Sequence, residues 1–353
     1  MRVVRLLRTP WCPYSLMFAA DGERIAVGGG AWYGGGGILL ARLGSDETAL
    51  HPAEARFTVS GVCFSGDDRH LAASTWSSSH HHGPTHLWEV NDLSLRPAAT
   101  LVHAYSDPIG DPCPTGVLLT GERVIVRNDT SIAADVFALW PPPPELRIAG
   151  PQGHPRAHSG IAGVADRVFT GGGGSLALGG WRRDLGRYEA GKAADGLVSA
   201  PLAGDGPLEF IPAPSRRITA IATRPGSEGF VTGGLDGEVH RWTRAGAWRS
   251  ELLLRRGGDP HDRASELAWA TYTPHSVVAI CALADGERWV SVTAGGELRL
   301  WRGDDSLGAW FLPERGSPRA LAAHPARPVV AVGIKQQHHA DRRAATVLLV
   351  DLA

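Results

Sequence analysis

Residues 230–242, FVTGGLDGEVHRW, form the stretch that most limits what this chain can fold into. Val231 and Thr232 favour a strand, the glycines around Leu235 and Asp236 favour a tight reversal, and residues 239–242 alternate as a second strand. Upstream, residues 217–223 (RITAIAT) alternate as a strand, and residues 224–228 (RPGSE) have turn composition. The sequence therefore predicts three consecutive antiparallel strands within about 25 residues.

Residues 277–301, VVAICALADGERWVSVTAGGELRLW, repeat this plan, with a first turn at 284–287 and a second at Gly295-Gly296. Both segments resemble a WD repeat, whose pattern is strand, Pro/Asp-Gly turn, strand, Gly-rich turn and a strand that ends in Trp. The resemblance implies an all-β chain folded as a β-propeller. It also implies structural roles for Asp236 and for the tryptophans that end third strands, which are Trp88, Trp140, Trp242 and Trp301.

The length of 353 residues fits a single domain of seven four-stranded blades, because each blade of this family takes about 40 to 50 residues. By analogy with the family, residues 2–8 would pair with residues 346–352 and close the ring. The inserts blur the period, so six or eight blades stay open. The expected blades span residues 15–51, 59–103, 116–150, 160–213, 217–257, 277–314, and 319–352 together with 2–8.

Composition excludes several functional classes. Lys+Arg 35 against Asp+Glu 36 gives a net charge of -1, whereas a general nucleic-acid or anionic-membrane binder carries a basic excess. An apolar run long enough to cross a membrane is missing, and residues 1–15 lack the apolar core of a signal peptide. We therefore expect a cytoplasmic protein, monomeric by default, and its richness in Ala, Arg, Gly and Pro is bacterial in style.

An asymmetry among the blades carries the functional prediction. Blades five and six join their second and third strands by short Gly turns, while blades one, two, four and seven carry inserts at the same point. In propellers these connections emerge on one face, and the inserts are rich in the aromatic and basic residues that dominate binding hot spots. The predicted partner-binding residues, one of them in the connector between blades five and six, are Trp32, Tyr33, Trp76, His80, His81, His82, Trp181, Arg182, Arg183, Arg187, Tyr188, Trp269, Lys335, Gln337, His338 and His339.

The inserts are also compatible with three different roles. Surface loops tolerate insertion cheaply, so the long connections could be slack. A Zn, Cu or Ni ion could be bound by three or four imidazoles from His80, His81, His82, His86, His338 and His339, although consecutive strand residues point to opposite faces. A lyase or hydrolase at the channel mouth could use His81, Arg182, Glu189 and His338.

The four cysteines give no sign of a metal or redox site. Cys63 and Cys281 lie in strand patterns, and Cys12 and Cys113 lie beside prolines in expected loops. Their spacing matches no metal-binding or redox motif. We therefore expect four free thiols in a reducing compartment.

These patterns favour a non-catalytic scaffold that binds another protein or a peptide, with no cofactor and no catalytic residues. The alternative is an enzyme, or a small-molecule or metal-binding propeller, with its site at the mouth of the central channel. A fold of this kind hosts many functions, so the choice depends on the site and not on the fold.

Overall fold

The chain is all-β in the computed structural model, which describes residues 1–31, 35–54, 57–76, 83–101, 113–119, 123–129, 137–140, 157–158, 161–164, 167–171, 179–182, 187–190, 196–201, 209–213, 218–223, 229–254, 273–314, 316–335 and 345–353. Within these ranges, no helix has the length and apolar character needed to cross a membrane.

Five blades are four-stranded antiparallel sheets, and the outer strand of the last one, β1 (Arg2–Thr9), comes from the start of the chain. Blade one contains β2 (Cys12–Phe18), β3 (Arg24–Gly30), β4 (Gly36–Arg42) and β5 (Thr48–Pro52). Blade two contains β6 (Thr58–Phe64), β7 (His70–Trp76), β8 (Thr85–Asn91) and β9 (Ser94–Leu101).

Blades three and four depart from the four-stranded plan in the part of the chain that is described. Blade three contains β10 (Cys113–Leu119), β11 (Val124–Asp129) and β12 (Phe137–Trp140). Blade four contains β13 (Ala157–His158), β14 (Ile161–Val164), β15 (Arg167–Gly171), β18 (Gly196–Pro201) and β19 (Glu209–Pro212). A separate hairpin, β16 (Gly179–Arg182) with β17 (Arg187–Ala190), lies between β15 and β18 in sequence.

The last three blades return to four strands each. Blade five contains β20 (Ile218–Thr223), β21 (Phe230–Gly234), β22 (Val239–Ala245) and β23 (Ala247–Leu254). Blade six contains β24 (Val277–Ala282), β25 (Arg288–Thr293), β26 (Glu297–Arg302) and β27 (Asp305–Phe311). Blade seven contains β28 (Ser317–Ala323), β29 (Val329–Lys335), β30 (Ala345–Asp351) and β1. The predicted all-β propeller is confirmed.

We call the four strands of a blade a, b, c and d, from the innermost to the outermost. The innermost strands of blades one, two and three contact in turn, as do those of blades four, five, six and seven, and β28 of blade seven contacts β2 of blade one. β1 pairs antiparallel with β30 from Arg2 opposite Asp351 to Thr9 opposite Ala345, with a bulge between Val3 and Arg5. The first strand therefore completes blade seven, as expected.

The hydrophobic core lies between successive blades. One cluster joins Leu16 and Ile25 of blade one to Val347 and Leu349 of blade seven and includes Leu7 of β1. The middle strands of blade seven are covered on one face by blade six and on the other by blade one, which explains why β29 and β30 have almost continuous apolar sequences instead of alternating ones. Cys12, which was expected in a loop, is the first residue of β2.

Two of the predicted tryptophan anchors are fully buried and hydrogen-bonded. Trp242 donates its indole N–H to the Thr232 hydroxyl at 2.9 Å, and Trp301 donates to the Ser291 hydroxyl at 3.1 Å. On strand b, Phe230 is the residue opposite Trp242, and Trp289 is the residue opposite Trp301. In both blades the acceptor hydroxyl belongs to the residue two positions after that partner. These bonds stabilise the sheet because a buried indole N–H is costly without an acceptor.

Trp88 also packs against the core cluster, but unlike Trp242 and Trp301 it is only partly buried. It pairs with Leu71, so the position that supplies a hydroxyl in blades five and six is occupied by Ala73. A methyl group cannot accept a hydrogen bond, and Trp88 packs instead against His86 with ring centroids 5.3 Å apart. The side chain of Trp140 lies outside what the structure describes.

The a–b turn of blade one is held by both neighbouring blades. The Asp68 carboxylate of blade two accepts hydrogen bonds from the Ala20 and Asp21 amides at 2.7 and 2.9 Å. On the other side, buried His324 of blade seven lies with Nε2 3.0 Å from the Gly22 carbonyl oxygen, while its Nδ1 accepts the Ala326 amide at 3.0 Å. These contacts connect blades seven, one and two on one face of the ring.

The Trp242–Thr232 bond gives a stability prediction. Replacing Thr232 with Val keeps the volume but leaves the buried indole N–H without an acceptor, which should lower the free energy of unfolding by about 1–3 kcal/mol. The matched control is Thr243→Val at an exposed site of the same blade, which should change it by less than about 0.5 kcal/mol. Urea denaturation measures both variants, and equal effects would contradict this role of the bond.

His324 gives a prediction about pH. Burial and the adjacent Arg327 guanidinium lower the pKa of His324 below its usual value. The unfolded chain then binds a proton at a pH where the folded chain does not, so stability falls as the pH drops through about 6.5. We expect a lower free energy of unfolding at pH 5 than at pH 7.5, and a smaller difference in His324→Gln. An unchanged pH dependence in that variant would show that His324 does not contribute.

Candidate partner-binding face

The connections between strands b and c mark one face of the ring, which we call the b–c face. In blade five, the Ser276 hydroxyl at the start of blade six donates to the Leu235 carbonyl in the b–c turn at 2.6 Å. In blade one, the Ala31 carbonyl just after β3 accepts the Thr58 hydroxyl of blade two at 3.0 Å. These b–c connections therefore lie beside the start of the next inner strand.

Blade five shows how short this connection can be. Gly237 has a φ of 78°, which a residue with a side chain rarely adopts, and its amide donates to the Gly234 carbonyl at 3.1 Å. The Asp236 carboxylate accepts the Glu238 amide at 3.0 Å, so Asp236 bonds a turn amide as the sequence indicated. Blade six closes in a similar way, with the Gly296 amide donating to the Thr293 carbonyl at 3.0 Å.

Blade one does not carry the insert that the sequence predicted, because its last b–c pair, Gly30 with Gly36, leaves five residues between, the same number as Gly233 with Val239 in blade five. Blades two and seven carry longer connections at the same point. In blade two the Thr75 amide donates to the Pro84 carbonyl at 3.1 Å, with residues 76–83 between them. In blade seven the last pair before the connection is Ile334 with Thr346. The long connections thus start from paired, regular strands.

The insert of blade four contains a hairpin of its own. Gly171 pairs with Leu197 at its base, and β16 pairs antiparallel with β17 inside it. The register places Trp181 opposite Tyr188 and Arg182 opposite Arg187. Four residues of the predicted binding set are therefore neighbours on one two-stranded element, where the sequence had indicated only a polar loop.

The remaining predicted residues divide into two groups. Trp76 is half-buried at the end of β7, and Lys335 is exposed at the end of β29, so both lie where their blades reach the b–c face. The others lie outside the described residues: Trp32, Tyr33, His80, His81, His82, Arg183, Trp269, Gln337, His338 and His339.

The inner strands contribute a feature that the sequence analysis missed. Strands β2, β6, β10, β20, β24 and β28 each have a register shift near their first residues, at the end of the strand that meets the b–c face. Single residues stand at these bulges, including Tyr14 in blade one and Arg319 in blade seven. Bulges are frequent beside functional sites because they redirect a side chain.

Cys12 and Tyr14 are neutral side chains that lie near the cationic side chains of Lys335 and Arg319. Burial raises the pKa of Cys12, and the charges of Lys335 and Arg319 offset only part of this effect. Burial also raises the pKa of Tyr14. Neither group is therefore ionised near neutral pH, and a protonated thiol is a poor nucleophile. This part of the face offers a phenol, a thiol and two cations to a partner.

The described residues contain neither a candidate metal-binding cluster nor a thiol that burial leaves ionised. Among these residues, no group of three His, Cys, Asp or Glu side chains could hold a metal ion. Burial raises the pKa of Cys63 to about 12 and raises the pKa of Cys281 as well, so both thiols stay protonated. Of the residues of the enzyme alternative, Arg182 and Glu189 lie on the blade four hairpin, and His81 and His338 lie outside the described part.

Comparison with solved structures identifies the architecture. The chain is similar to the structure of U3-55K, with a TM-score of 0.64, 14% identity and 98% of each chain covered. It is also similar to the WD40 repeats of RRP9, with a TM-score of 0.63, 14% identity, and 98% of this chain and 97% of that one covered. The fold is a WD40-like β-propeller. The β-propeller domain of Myceliophteria thermophila Cps50 (Swd1) gives a TM-score of 0.59 at 12% identity, with 100% of this chain and 99% of that one covered.

Sequence comparison adds nothing to this result, since no family model and no curated protein matches the chain. At these identities the likeness to U3-55K, RRP9 and Cps50 concerns the WD40-like fold alone. The function must therefore be argued from the b–c face itself.

Proposed function

We propose that this WD40-like propeller is a scaffold that binds another protein, or a peptide of one, through its b–c face. The observation that carries the proposal is the asymmetry of the b–c connections. Blades five and six close with turns of a few residues, while the insert of blade four extends from the paired base Gly171–Leu197 and contains the β16–β17 hairpin. A connection that only joins two strands has no need of a second sheet.

The chemistry of this face suits protein recognition. Trp181, Tyr188, Arg182 and Arg187 occupy neighbouring register positions on the hairpin, and aromatic residues and Arg are enriched at the centres of protein interfaces. Lys335 adds an exposed cation on blade seven. An acidic patch with apolar pockets on the partner would complement this set.

The ring supports binding by holding the bases of the long connections in fixed relation. Each base ends in paired strands whose neighbours are buried between blades, so its position changes little when a partner binds. A site that is already ordered loses less conformational entropy on association. Rigid display is the mechanism we propose.

The wider predictions from the sequence remain proposals. We propose that residues 1–353 act as one propeller domain, that the protein works in the cytoplasm as a monomer, and that it binds neither nucleic acid nor membranes. The near-neutral charge of -1 supports the last of these points.

Affinity purification from the native organism's lysate tests the binding function. Wild type is compared with a b–c variant in which Trp32, His81, Arg182 and His338 are all Ala. The matched control is a variant with four exposed residues of the opposite face replaced by Ala, namely Glu23, Arg69, Glu287 and Arg302. We expect a protein that wild type and control retain and the b–c variant loses by at least about tenfold, since each hot-spot residue contributes more than about 1 kcal/mol.

Two further measurements complete this experiment. Thermal melts establish that all three forms are folded, and the retained protein is purified and titrated against each form. Loss of the partner in the control alone, equal retention by both variants, or no specifically retained protein would each contradict the proposed function.

A further inference from the structure

A group of four polar side chains lies where blades seven and one meet on the b–c face. Tyr14 and Arg319 stand at the bulges of the inner strands β2 and β28, which are neighbours in the ring. Cys12 is the first residue of β2, and Lys335 is the last residue of β29. The sequence indicated only Lys335 as a binding residue, so the structure adds the other three.

The bulges leave Tyr14 and Arg319 accessible in strands that are otherwise packed. Both side chains are half-buried, so a ligand can reach part of each. The residues on either side of them are buried, namely Pro13, Ser15, Pro318 and Ala320. A bulge redirects one side chain while the strands on both sides of it stay paired.

Lys335 reaches the same place from the second strand of blade seven. Two residues earlier, Gly333 lies against blade one, since a β-carbon there would be 2.9 Å from the Pro13 ring. Residues two apart on a strand point to the same side, so Lys335 also points towards blade one. Its side chain is exposed and forms no ion pair within the part of the chain that the structure describes.

The two cations act on the same pair of neutral groups. Burial raises the pKa of Cys12, while the charges of Lys335 and Arg319 act in the opposite direction. Burial also raises the pKa of Tyr14, and the charge of Arg319 again opposes it. Among the described residues, no carboxylate contributes to either shift. The charge around the Tyr14 hydroxyl and the Cys12 thiol is therefore positive.

We propose that Arg319, Lys335 and Tyr14 form an oxyanion-binding site, which receives a carboxylate or phosphate group carried by the bound protein. The guanidinium of Arg319 has five N–H donors in a fork that matches an oxyanion, and the ammonium of Lys335 supplies a point charge.

The Tyr14 hydroxyl is hydrogen-bonded to the Cys12 thiol. Because a thiol S–H can donate to the phenol oxygen, the Tyr14 O–H is available as a third donor to the anion. Naming a protein as the source of the anion rests on the proposed function, whereas the site itself does not.

Titration of the full chain with sodium phosphate and, separately, with sodium acetate tests the site. Sodium chloride keeps the ionic strength constant, so that screening does not change during the titration. The readout is the NMR signal of Tyr14 in protein labelled with ¹³C-tyrosine, of which the chain contains five, and Tyr14→Phe assigns that signal. We expect a saturable shift with a Kd of about 1–10 mM for at least one of the two anions. The anion that binds more tightly identifies the group that the partner carries.

Substitutions of the two cations locate the site. Lys335→Gln and Arg319→Gln should each raise the Kd about tenfold, whereas Lys335→Arg should retain binding because it keeps the charge. The matched control is Arg302→Gln, at an exposed arginine of the opposite face, which should leave the Kd unchanged. Lys335 is exposed, so the effect of its replacement does not depend on the stability of the core.

Two results would overturn the proposal. One is the lack of a saturable shift of the Tyr14 signal with either anion up to about 100 mM, and the other is an equal effect of Lys335→Gln and Arg302→Gln. The titration needs no protein partner. Failure of the anion site and failure of partner capture are therefore separate results, and either can occur alone.

Discussion

The pairing of β1 with β30 is the constraint on which the rest of this structure depends. It joins the first strand of the chain to the last, so that blade seven has its outer strand and Leu7 enters the cluster between blades seven and one. Arg5 extends the same contact, because its guanidinium donates to the Arg42 and Leu43 carbonyls of blade one at 2.8 and 2.7 Å. On the face opposite the b–c face, the His324 side chain contacts the Gly22 carbonyl, 302 positions away in the sequence.

Closure explains how a chain with little regular sequence repetition can hold a rigid surface. Among the described residues, blades one, two, five, six and seven each bury apolar side chains against both neighbouring blades. The interfaces between blades stabilise the ring, and the b–c connections lie outside these interfaces. Individual connections can therefore vary in length. Short turns in blades five and six and a hairpin in blade four can therefore coexist on one face.

The sequence predicted those features that depend on local patterns. The Asp-Gly turn, the strands around it and the Trp242 anchor follow from residues within one hairpin. The hydrogen bond from the Trp242 indole N–H to the Thr232 hydroxyl was not predicted and comes from the structure. Trp88 also packs against the core cluster, but it is only partly buried and lacks the corresponding hydrogen bond, because Ala73 on the opposite strand occupies the position of Thr232. At the corresponding position of strand b, Thr232 accepts the indole N–H of Trp242, whereas Ala73 offers Trp88 no acceptor.

Features that depend on contacts between blades could not be predicted in this way. Asp68 caps amides 47 and 48 positions away, and no local motif indicates its partners. The hairpin of blade four was hidden by its polar composition. The bulges of the inner strands likewise require knowledge of the register between strands a and b. The composition and the location of the candidate site stay predictions from the sequence, and the structure added the pairing of Trp181 with Tyr188.

Hydrogen–deuterium exchange on the whole protein and on a variant that lacks residues 2–8 tests the central claim of a closed, rigid ring most directly. If β1 closes the ring, the amides of β29 and β30 in the whole protein exchange as slowly as those of β25 and β26, because every blade opens only with the ring as a whole. The variant should then lose protection in blade seven and at its interface with blade one. Fast exchange in blade seven of the whole protein, or unchanged protection in the variant, would contradict closure by β1.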